Sequence, residues 1–294
     1  MTCEVSVVSC RMLSILLALA ASVSWGVSDF LGGLTSRRLS VLSVLLISQS
    51  VGLVMVVPAV LVSGQAPVDG PARLSAIGGS LAGLIGIAAL YRAIVVGVAS
   101  IAAPISATGA AVPVAVGLLR GEPTGVWQEI GIGLAIAGVV LAAWTADDPA
   151  KTSRALRLTS PGTGFALIAA AGFGSFFVLL HDASTYSVVW ATFVQRVTSV
   201  GILLVLSVPL RPSLAIGWRR TPRLVAIGAL DQGANLLYGF ASTVGLVSVA
   251  AVLASLFPVI TVILARAILH ERLSRAQQTG VACALAGVAL IAGG

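Results

Sequence analysis

Long runs of apolar residues, separated by short polar connections, follow one another along the whole chain. A helix needs about 20 apolar residues to cross the hydrocarbon core of a bilayer. By that measure the sequence predicts ten membrane-spanning helices, at residues 12–32, 41–63, 74–92, 98–119, 127–145, 163–181, 187–209, 222–243, 246–268 and 275–293. The longest connection between them, residues 146–160, carries five charged side chains and separates the chain into two halves.

The two halves repeat one pattern at an offset of 148 or 149 residues. The clearest anchor is Gly121-Glu122, which aligns with His270-Glu271 at the end of the fourth helix of each half. Three further anchors align in nearly the same register: Gly131 and Gly138 with Gly280 and Gly287, Trp25-Gly26 with Phe173-Gly174, and Ser50-Val51-Gly52 with Ser199-Val200-Gly201. We therefore expect two copies of one structural unit, and an internal repeat of this kind determines the architecture of the fold.

An odd number of helices in each copy has a consequence for topology. Five crossings leave the chain on the opposite side of the membrane, so the second copy lies upside down relative to the first. We therefore predict an all-α integral membrane protein in which ten transmembrane helices form two inverted five-helix repeats. The repeats cover residues 1–145 and 161–294, and residues 146–160 link them. In proteins of this architecture the binding site lies near the membrane midplane, between the repeats.

Composition agrees with a membrane location. Hydrophobic residues make up 58% of the 294 residues, charged residues only 9%, and the mean hydropathy is +1.07, whereas a soluble domain carries about 25% charged residues. The net charge of +7 does not indicate a nucleic-acid partner, because no basic stripe is interleaved with aromatic side chains. Cys3, Cys10 and Cys283 lack the spacing of metal ligands, so we expect neither a metal nor a cofactor.

Small residues and prolines mark special positions in the predicted helices. Gly131 and Gly138 lie on one helical face, as do their counterparts in the second half, and small residues at this spacing let helices approach closely in lipid. Pro104, Pro113 and Pro258 interrupt the fourth and ninth helices. A proline at membrane depth frees a backbone carbonyl and often marks a bend beside a cavity. We expect close packing at the glycines and bends at the prolines.

Polar side chains at membrane depth are concentrated in the eighth predicted helix. Asp231, Asn235 and Tyr238 are spaced so that they share one helical face, and Gln232 lies beside them. The corresponding helix of the first half, residues 79–90, is apolar and rich in glycine. A substrate-specific face would produce this asymmetry. A network of hydrogen bonds that only holds the helices together is the alternative.

Arg196 is the only basic residue well inside a predicted helix. An unpaired charge at the bilayer centre costs about 2.5–3.5 kcal/mol on insertion scales, and the depth of Asp231 in the next helix brings it within reach of a long guanidinium. We therefore predict that both side chains face one cavity, where they either pair or share an anionic or zwitterionic ligand. Partial desolvation makes Asp231 a candidate proton carrier. A purely structural ion pair is the alternative.

Three weaker candidates complete the set of ligand-binding residues. Gln49 in the second helix and Gln195 in the seventh carry amides that could bind either a ligand or a neighbouring helix. Trp25 lies near the end of the first helix, one turn before Asp29, and an interfacial or capping role is the alternative for this group. No pair or cluster of side chains indicates a catalytic site.

The doubled order and spacing of these features resemble the drug/metabolite transporter superfamily, and within it the EamA-type transporters. The resemblance runs from residue 18 to residue 292. It rests on two copies of five helices, each with Gly121-Glu122 or His270-Glu271 at the end of the fourth helix and a small-residue stripe in the fifth. It implies a secondary transporter in the plasma (inner) membrane, commonly an exporter of amino acids or other small metabolites. No ATP-binding G-x-x-x-x-G-K-[ST] motif is present.

These features favour a transporter that moves a small polar metabolite across the lipid bilayer by alternating access, with protons as a candidate coupling ion. A non-transporting membrane scaffold or sensor is one alternative. A membrane enzyme acting on lipid-linked substrates is another, and it needs paired acidic groups or a histidine cluster. His181 and His270 lie in different halves, so we do not expect an enzyme.

Basic residues are distributed unevenly between the two sides of the predicted topology. The connections after odd-numbered helices, with Arg92 and Arg266 beside them, carry 13 basic residues, and the other side carries Arg11, Arg73 and Arg120. Basic connections face the cytoplasm, so this count predicts that both termini lie on the opposite side. The family resemblance implies the reverse, with both termini in the cytoplasm.

Overall fold

The computed structural model describes residues 2–36, 39–65, 67, 70–96, 105–142, 161–212, 217, 221–269 and 274–293. Every regular element within these ranges is helical, so the all-α prediction is confirmed. In chain order the helices are α1 (Thr2–Ser36), α2 (Val41–Ser63), α3 (Gly70–Val96), α4 (Ala111–Leu119), α5 (Val126–Ala142), α6 (Pro161–Ser184), α7 (Val188–Leu210), α8 (Thr221–Val244), α9 (Val247–Ala254), α10 (Phe257–Leu269) and α11 (Arg275–Gly293).

Within the described residues, seven segments are long and apolar enough to cross a membrane. They are Ser9–Ser36, Val41–Ser63, Gly70–Leu90, Gly162–Ser184, Val188–Leu210, Val247–Ile268 and Arg275–Gly293. Two further apolar segments, Ile105–Leu119 and Val126–Ala142, are shorter. Helix α8, which carries Asp231, Gln232 and Asn235, is not among the seven. The predicted number of ten crossings is therefore not established by length and hydropathy alone.

The fourth and ninth predicted helices are both interrupted, as their prolines indicated. In the ninth, a turn at residues 255–256 separates α9 from α10. Pro258 lies in the first turn of α10, where its missing N–H removes no helical hydrogen bond. In the fourth, a 3-10 turn at Thr108–Ala110 leads into α4, and Pro113 is the third residue of that helix. Pro104 lies outside the described residues.

The fifth helix of each half packs against its counterpart along the glycine stripe. Helices α5 and α11 run antiparallel, so that Gly131 lies opposite Gly287 and Gly138 lies opposite Gly280 and Ala284. A Cβ atom added to Gly138 would lie 2.4 Å from the backbone nitrogen of Ala284. No side chain fits at that distance, and the packing role that the sequence predicted for these glycines is therefore confirmed.

Helices of the first half pack mainly against helices of the second. Helix α1 packs antiparallel to α8, α2 to α7, and α3 to α6. Serine hydroxyls fix the register of α1 on α8: Ser14 donates to the carbonyl of Ala241 at 2.7 Å, and Ser28 donates to that of Ile227 at 3.0 Å. The pairs α2–α7 and α5–α11 each join a helix to its own repeat counterpart. Their antiparallel direction is the arrangement that two inverted copies produce.

Candidate functional site

The guanidinium of Arg196 lies almost wholly out of solvent among α2, α7 and α8. Its side chain is 4% exposed, and its Nη1 atom lies 2.8 Å from Oδ2 of Asp231, whose side chain is 23% exposed. The ion pair is one of the two arrangements that the sequence predicted. A buried charge whose partner is removed carries a penalty of several kcal/mol, so each of these two groups stabilises the other at this depth.

Two glutamines complete the surroundings of the guanidinium. Nε of Arg196 donates to Oε1 of Gln232 at 2.6 Å, and Nη1 donates to Oε1 of Gln49. The side-chain nitrogen of Gln49 in turn donates to Oδ2 of Asp231 at 3.3 Å. Amide dipoles from α2 and α8 thus take the place of water around both charges, which is the condition for keeping a charged pair at this depth.

Gly52 provides the space in which this cluster assembles. It lies on α2 one turn after Gln49, and a Cβ atom at this position would lie 3.1 Å from Nε of Arg196 and 3.4 Å from Cβ of Gln232. The sequence identified Gly52 only as part of the aligned motif Ser50-Val51-Gly52. Its spacing from Gln49 could have indicated that both residues face the same cluster, because residues three apart share a helical face.

The second carboxylate oxygen of Asp231 is bound from α1. Nε1 of Trp25 donates to Oδ1 of Asp231 at 3.1 Å. The indole ring is held by edge-to-face contacts with the rings of Phe176 and Phe177, with centroids 6.1 and 5.7 Å away. Asp29, one turn further along α1, is exposed, and its carboxylate repels that of Asp231. Helix α1 therefore contributes a fixed donor and a second carboxylate to this region.

The remaining predicted residues lie beside this cluster or apart from it. Asn235, one turn after Asp231, donates from Nδ2 to the backbone carbonyl of Asp231 at 2.6 Å. Tyr238 is fully buried, and its hydroxyl donates to the carbonyl of Phe177 at 2.8 Å. Gln195 is buried on the side of α7 that packs against α3. The structure thus brings together Trp25, Gln49, Arg196, Asp231 and Gln232, which we call the central cluster.

Three polar atoms at the central cluster are buried and have no hydrogen-bond partner within the described residues. They are Nη2 of Arg196, Nε2 of Gln232 and Oδ1 of Asn235. A buried polar atom left unpaired costs about 1–3 kcal/mol. The cluster therefore has unused capacity, two donors and one acceptor, for a small polar molecule that carries both kinds of group.

Two other charged contacts lie near helix ends, outside the central cluster. Arg120 binds Asp182 through two hydrogen bonds of 2.6 and 3.0 Å, and this bonding raises the pKa of the Arg120 guanidinium. Glu122 accepts hydrogen bonds from the backbone N–H groups of Val247 and Ser248 at 2.6 and 3.1 Å. Glu122 therefore caps the start of α9. Both contacts join the first half of the chain to the second, and no sequence pattern predicted either.

Potential metal ligands are scattered across the described residues. Within that part of the chain, no three or more side chains of His, Cys, Asp and Glu lie close enough together to hold a metal ion. Cys10 and Cys283 are free thiols on α1 and α11.

The chain matches a family of membrane transporters over nearly its whole length. The model of the EamA-like transporter family matches residues 12–144 and again residues 160–293. A solved crystal structure of another protein superposes on this chain with a TM-score of 0.77 at 17% sequence identity. The match covers 96% of this chain and 97% of the other, and at that identity it shows the fold alone. No curated protein matches the chain.

Proposed function

The chain belongs to the EamA-like transporter family, and from this premise we propose that it is a secondary transporter that exports a small polar metabolite or amino acid by alternating access. The proposed location is the plasma (inner) membrane, and protons are the proposed coupling ion. The observation that carries the proposal is the buried pair of Arg196 and Asp231, with unpaired polar atoms beside it. Ionisable groups at membrane depth are expensive, and they mark substrate and ion pathways.

The architecture we propose around this pair is ten crossing helices in two inverted repeats, residues 1–145 and 161–294, linked by residues 146–160. The two family matches and the antiparallel pairing of α2 with α7 and of α5 with α11 support it. In such an architecture one repeat rocks against the other around a fixed site near the midplane. The central cluster takes residues from both halves, so this motion would change its access to either side.

A zwitterionic guest fits the chemistry of the central cluster. It can insert between the two charges, with its carboxylate on Arg196 through parallel hydrogen bonds and its ammonium group on Asp231. Two new ion pairs then replace one internal pair, so neither buried charge is left alone. The carboxylate of Asp231 is more exposed than the guanidinium of Arg196, and the guest therefore meets Asp231 first.

Coupling to protons follows from the same carboxylate. A proton on Asp231 removes the negative charge that an ammonium group needs and weakens the ion pair between Asp231 and Arg196. Proton and guest therefore exclude each other at Asp231, which is the condition for exchanging one for the other across the membrane. The donors Trp25 and Gln49 keep the carboxylate in position in both states.

A thermal-shift screen of a metabolite library on detergent-purified protein tests the proposed function. A compound that binds only the folded protein raises its melting temperature in a concentration-dependent way. We expect one chemical class, carrying both a carboxylate and an amine, to stabilise the wild type but neither Asp231→Asn nor Arg196→Ala. Asp182→Asn makes the same chemical change in the distant ion pair with Arg120, so it should respond like the wild type.

Two results would count against the proposal. If Asp231→Asn and Arg196→Ala respond to the same ligand as strongly as the wild type does, the central cluster is structural and the binding site lies elsewhere. If the ligand binds but its flux into proteoliposomes is the same with and without a proton gradient, proton coupling is wrong. A scaffold would bind no such ligand class, and a sensor would bind its ligand but show no flux.

A further inference from the structure

A second polar feature lies at one end of the helix bundle. A cavity of 460 Å³ opens there between the N-terminal half of α1, the starts of α5 and α9 and the end of α8, and Arg11, Ser14, Gln128 and Thr243 contribute its polar lining. We call it the Arg11 pocket. Arg11 precedes Trp25 by 14 residues on the same helix, which is about 21 Å along the helix axis. The pocket is therefore distinct from the central cluster.

Within the part of the chain that the structure describes, no charged group neutralises Arg11. Its Nη2 atom donates to the backbone carbonyl of Ile291 at 2.9 Å, and its Nε atom is buried without a hydrogen-bond partner in the described part of the chain. No carboxylate among the described residues forms an ion pair with it, and of the described residues that line the pocket Arg11 is the one that carries a charge. The pocket thus presents a cation with one unused donor.

The position of Arg11 along α1 sets the depth of the pocket in the membrane. Met12, Leu13 and Leu16 follow directly and are exposed on the outer side of α1, where apolar side chains meet acyl chains. Arginines at the ends of spanning helices lie at the level of the lipid headgroups. The pocket therefore opens at headgroup level, and Val244 and Leu246 add apolar side chains to its lining.

We propose that the Arg11 pocket binds the headgroup of an anionic phospholipid, with the phosphate on Arg11 and the start of an acyl chain against Val244, which lines the pocket and is 39% exposed. The guanidinium forms no ion pair within the described residues, so it gives charge complementarity to a phosphate, and basic pockets between transmembrane helices bind anionic headgroups. The volume lies within the range of about 300–1,000 Å³ that small-ligand sites occupy. A lipid held here contacts α1 of the first half and α8 of the second, so it bridges the two halves.

Native mass spectrometry of the purified chain with added phosphatidylglycerol and phosphatidylcholine tests this site. The wild type should retain phosphatidylglycerol in preference to phosphatidylcholine. Arg11→Gln should raise the dissociation constant for phosphatidylglycerol by about tenfold, the loss expected for one charge-assisted contact, and Arg11→Lys should keep most of the preference. Arg73→Gln is the matched control, because Arg73 is exposed at the start of α3 on the same side of the bundle but does not line the pocket.

Three outcomes would overturn the proposal. The first is an equal preference for phosphatidylglycerol in Arg11→Gln and the wild type. The second is a rise in melting temperature with soluble glycerol 3-phosphate that equals the rise with phosphatidylglycerol, because the site would then bind a free anion. The third is measured on the wild type alone and needs no variant to fold: a preference that does not weaken as salt is added, since a contact between charges at the interface is screened by salt.

Discussion

At the scale of single residues, the guanidinium of Arg196 determines what its neighbours must be. A buried cation needs one carboxylate for its charge and further acceptors for its N–H groups, and Asp231, Gln49 and Gln232 supply these for Nε and Nη1. Removing one charge leaves the other uncompensated, whereas removing both relieves two desolvation costs together. The stability of the protein should therefore respond non-additively to substitutions in this pair.

The first prediction concerns that pair. Arg196→Gln should lower the free energy of unfolding by about 3–5 kcal/mol, because Asp231 is then left as a partly buried charge without its partner. The double variant Arg196→Gln/Asp231→Asn should lose less than Arg196→Gln alone. Denaturant unfolding in detergent, followed by circular dichroism, measures both. Losses that simply add would contradict a direct interaction between the two side chains.

The second prediction concerns the tyrosine on α8. Tyr238→Phe should lower the free energy of unfolding by about 0.5–1.5 kcal/mol, because the hydroxyl of Tyr238 donates to the carbonyl of Phe177 in a fully buried position. Tyr186→Phe removes the same hydroxyl from an exposed side chain and should leave the stability within about 0.5 kcal/mol of the wild type. Equal losses in the two variants, measured by the same unfolding assay, would show that the buried hydrogen bond is unimportant.

Sequence reasoning could find Arg196 and Asp231 because an unpaired charge in lipid is costly and both lie inside predicted helices. It could not find that Trp25 binds Asp231, because this contact depends on the packing of α1 against α8. Nor could it separate Gln195 from Arg196. The two are adjacent in the chain, but one turns towards α3 and the other towards α2 and α8, and only the positions of the neighbouring helices decide this.

At the scale of helices, the glycines on facing sides of α5 and α11 let the two backbones approach closely. Lipid gives little hydrophobic driving force for helix association, so close van der Waals contact between backbones must supply it. The glycines of both helices allow that contact on one face only. Gly133, on another side of α5, has open space where its Cβ would be. Helix α5 therefore carries one glycine that contacts α11, Gly138, and one that contacts no neighbouring helix, Gly133, and the two can be compared.

The third prediction uses these two glycines. Gly138→Ala should lower the free energy of unfolding by about 1–3 kcal/mol, because the added methyl group overpacks the contact with Ala284. Gly133→Ala makes the same change in the same helix with no neighbour within 4 Å. It should leave the stability unchanged or raise it by about 0.5–1 kcal/mol, since alanine favours the helix. A comparable change in stability in both variants would mean that the close contact at Gly138 does not explain the glycine stripe.

The spacing of the glycines and the positions of the prolines were sufficient to predict close packing on one face of α5 and of α11 and the interruption between α9 and α10, but not that the two glycine faces meet each other. The Glu122 cap was beyond sequence reasoning for a physical reason. Glu122 ends one helix of the first half, and the N–H groups that it binds start a helix 125 residues later. A local pattern can indicate a helix end, but it cannot indicate which distant helix that end will meet.

At the scale of the whole molecule, charge and family disagree about orientation. The basic residues of the chain lie mostly on the side of the connections that follow odd-numbered helices. The positive-inside rule counts the short connections near helix ends, and most of these residues meet that condition. The distribution of basic residues is a property of this chain itself, whereas the other orientation is implied only by the family. We therefore expect both termini to face away from the cytoplasm.

The fourth prediction follows from that expectation. Alkaline phosphatase, which is active only outside the cytoplasm, should be active when fused after Gly294, and green fluorescent protein fused there should be dark. Fusions in the linker at residues 146–160 should give the opposite result, because the linker lies on the other side of the predicted topology. Fluorescent C-terminal fusions and inactive phosphatase would show that the orientation implied by the family is right and that the charge count misleads.

The antiparallel seam between α5 and α11 has a consequence in evolutionary terms. A face that meets its own counterpart across a two-fold axis is self-complementary, so an ancestral five-helix chain inserted in both orientations would already form this contact as a homodimer. Gene fusion would then free each copy to diverge alone. The polar side chains of α8 have no polar counterpart in residues 79–90 of α3, as expected of a change made after fusion. On this view the central cluster is younger than the seam that holds the two copies together.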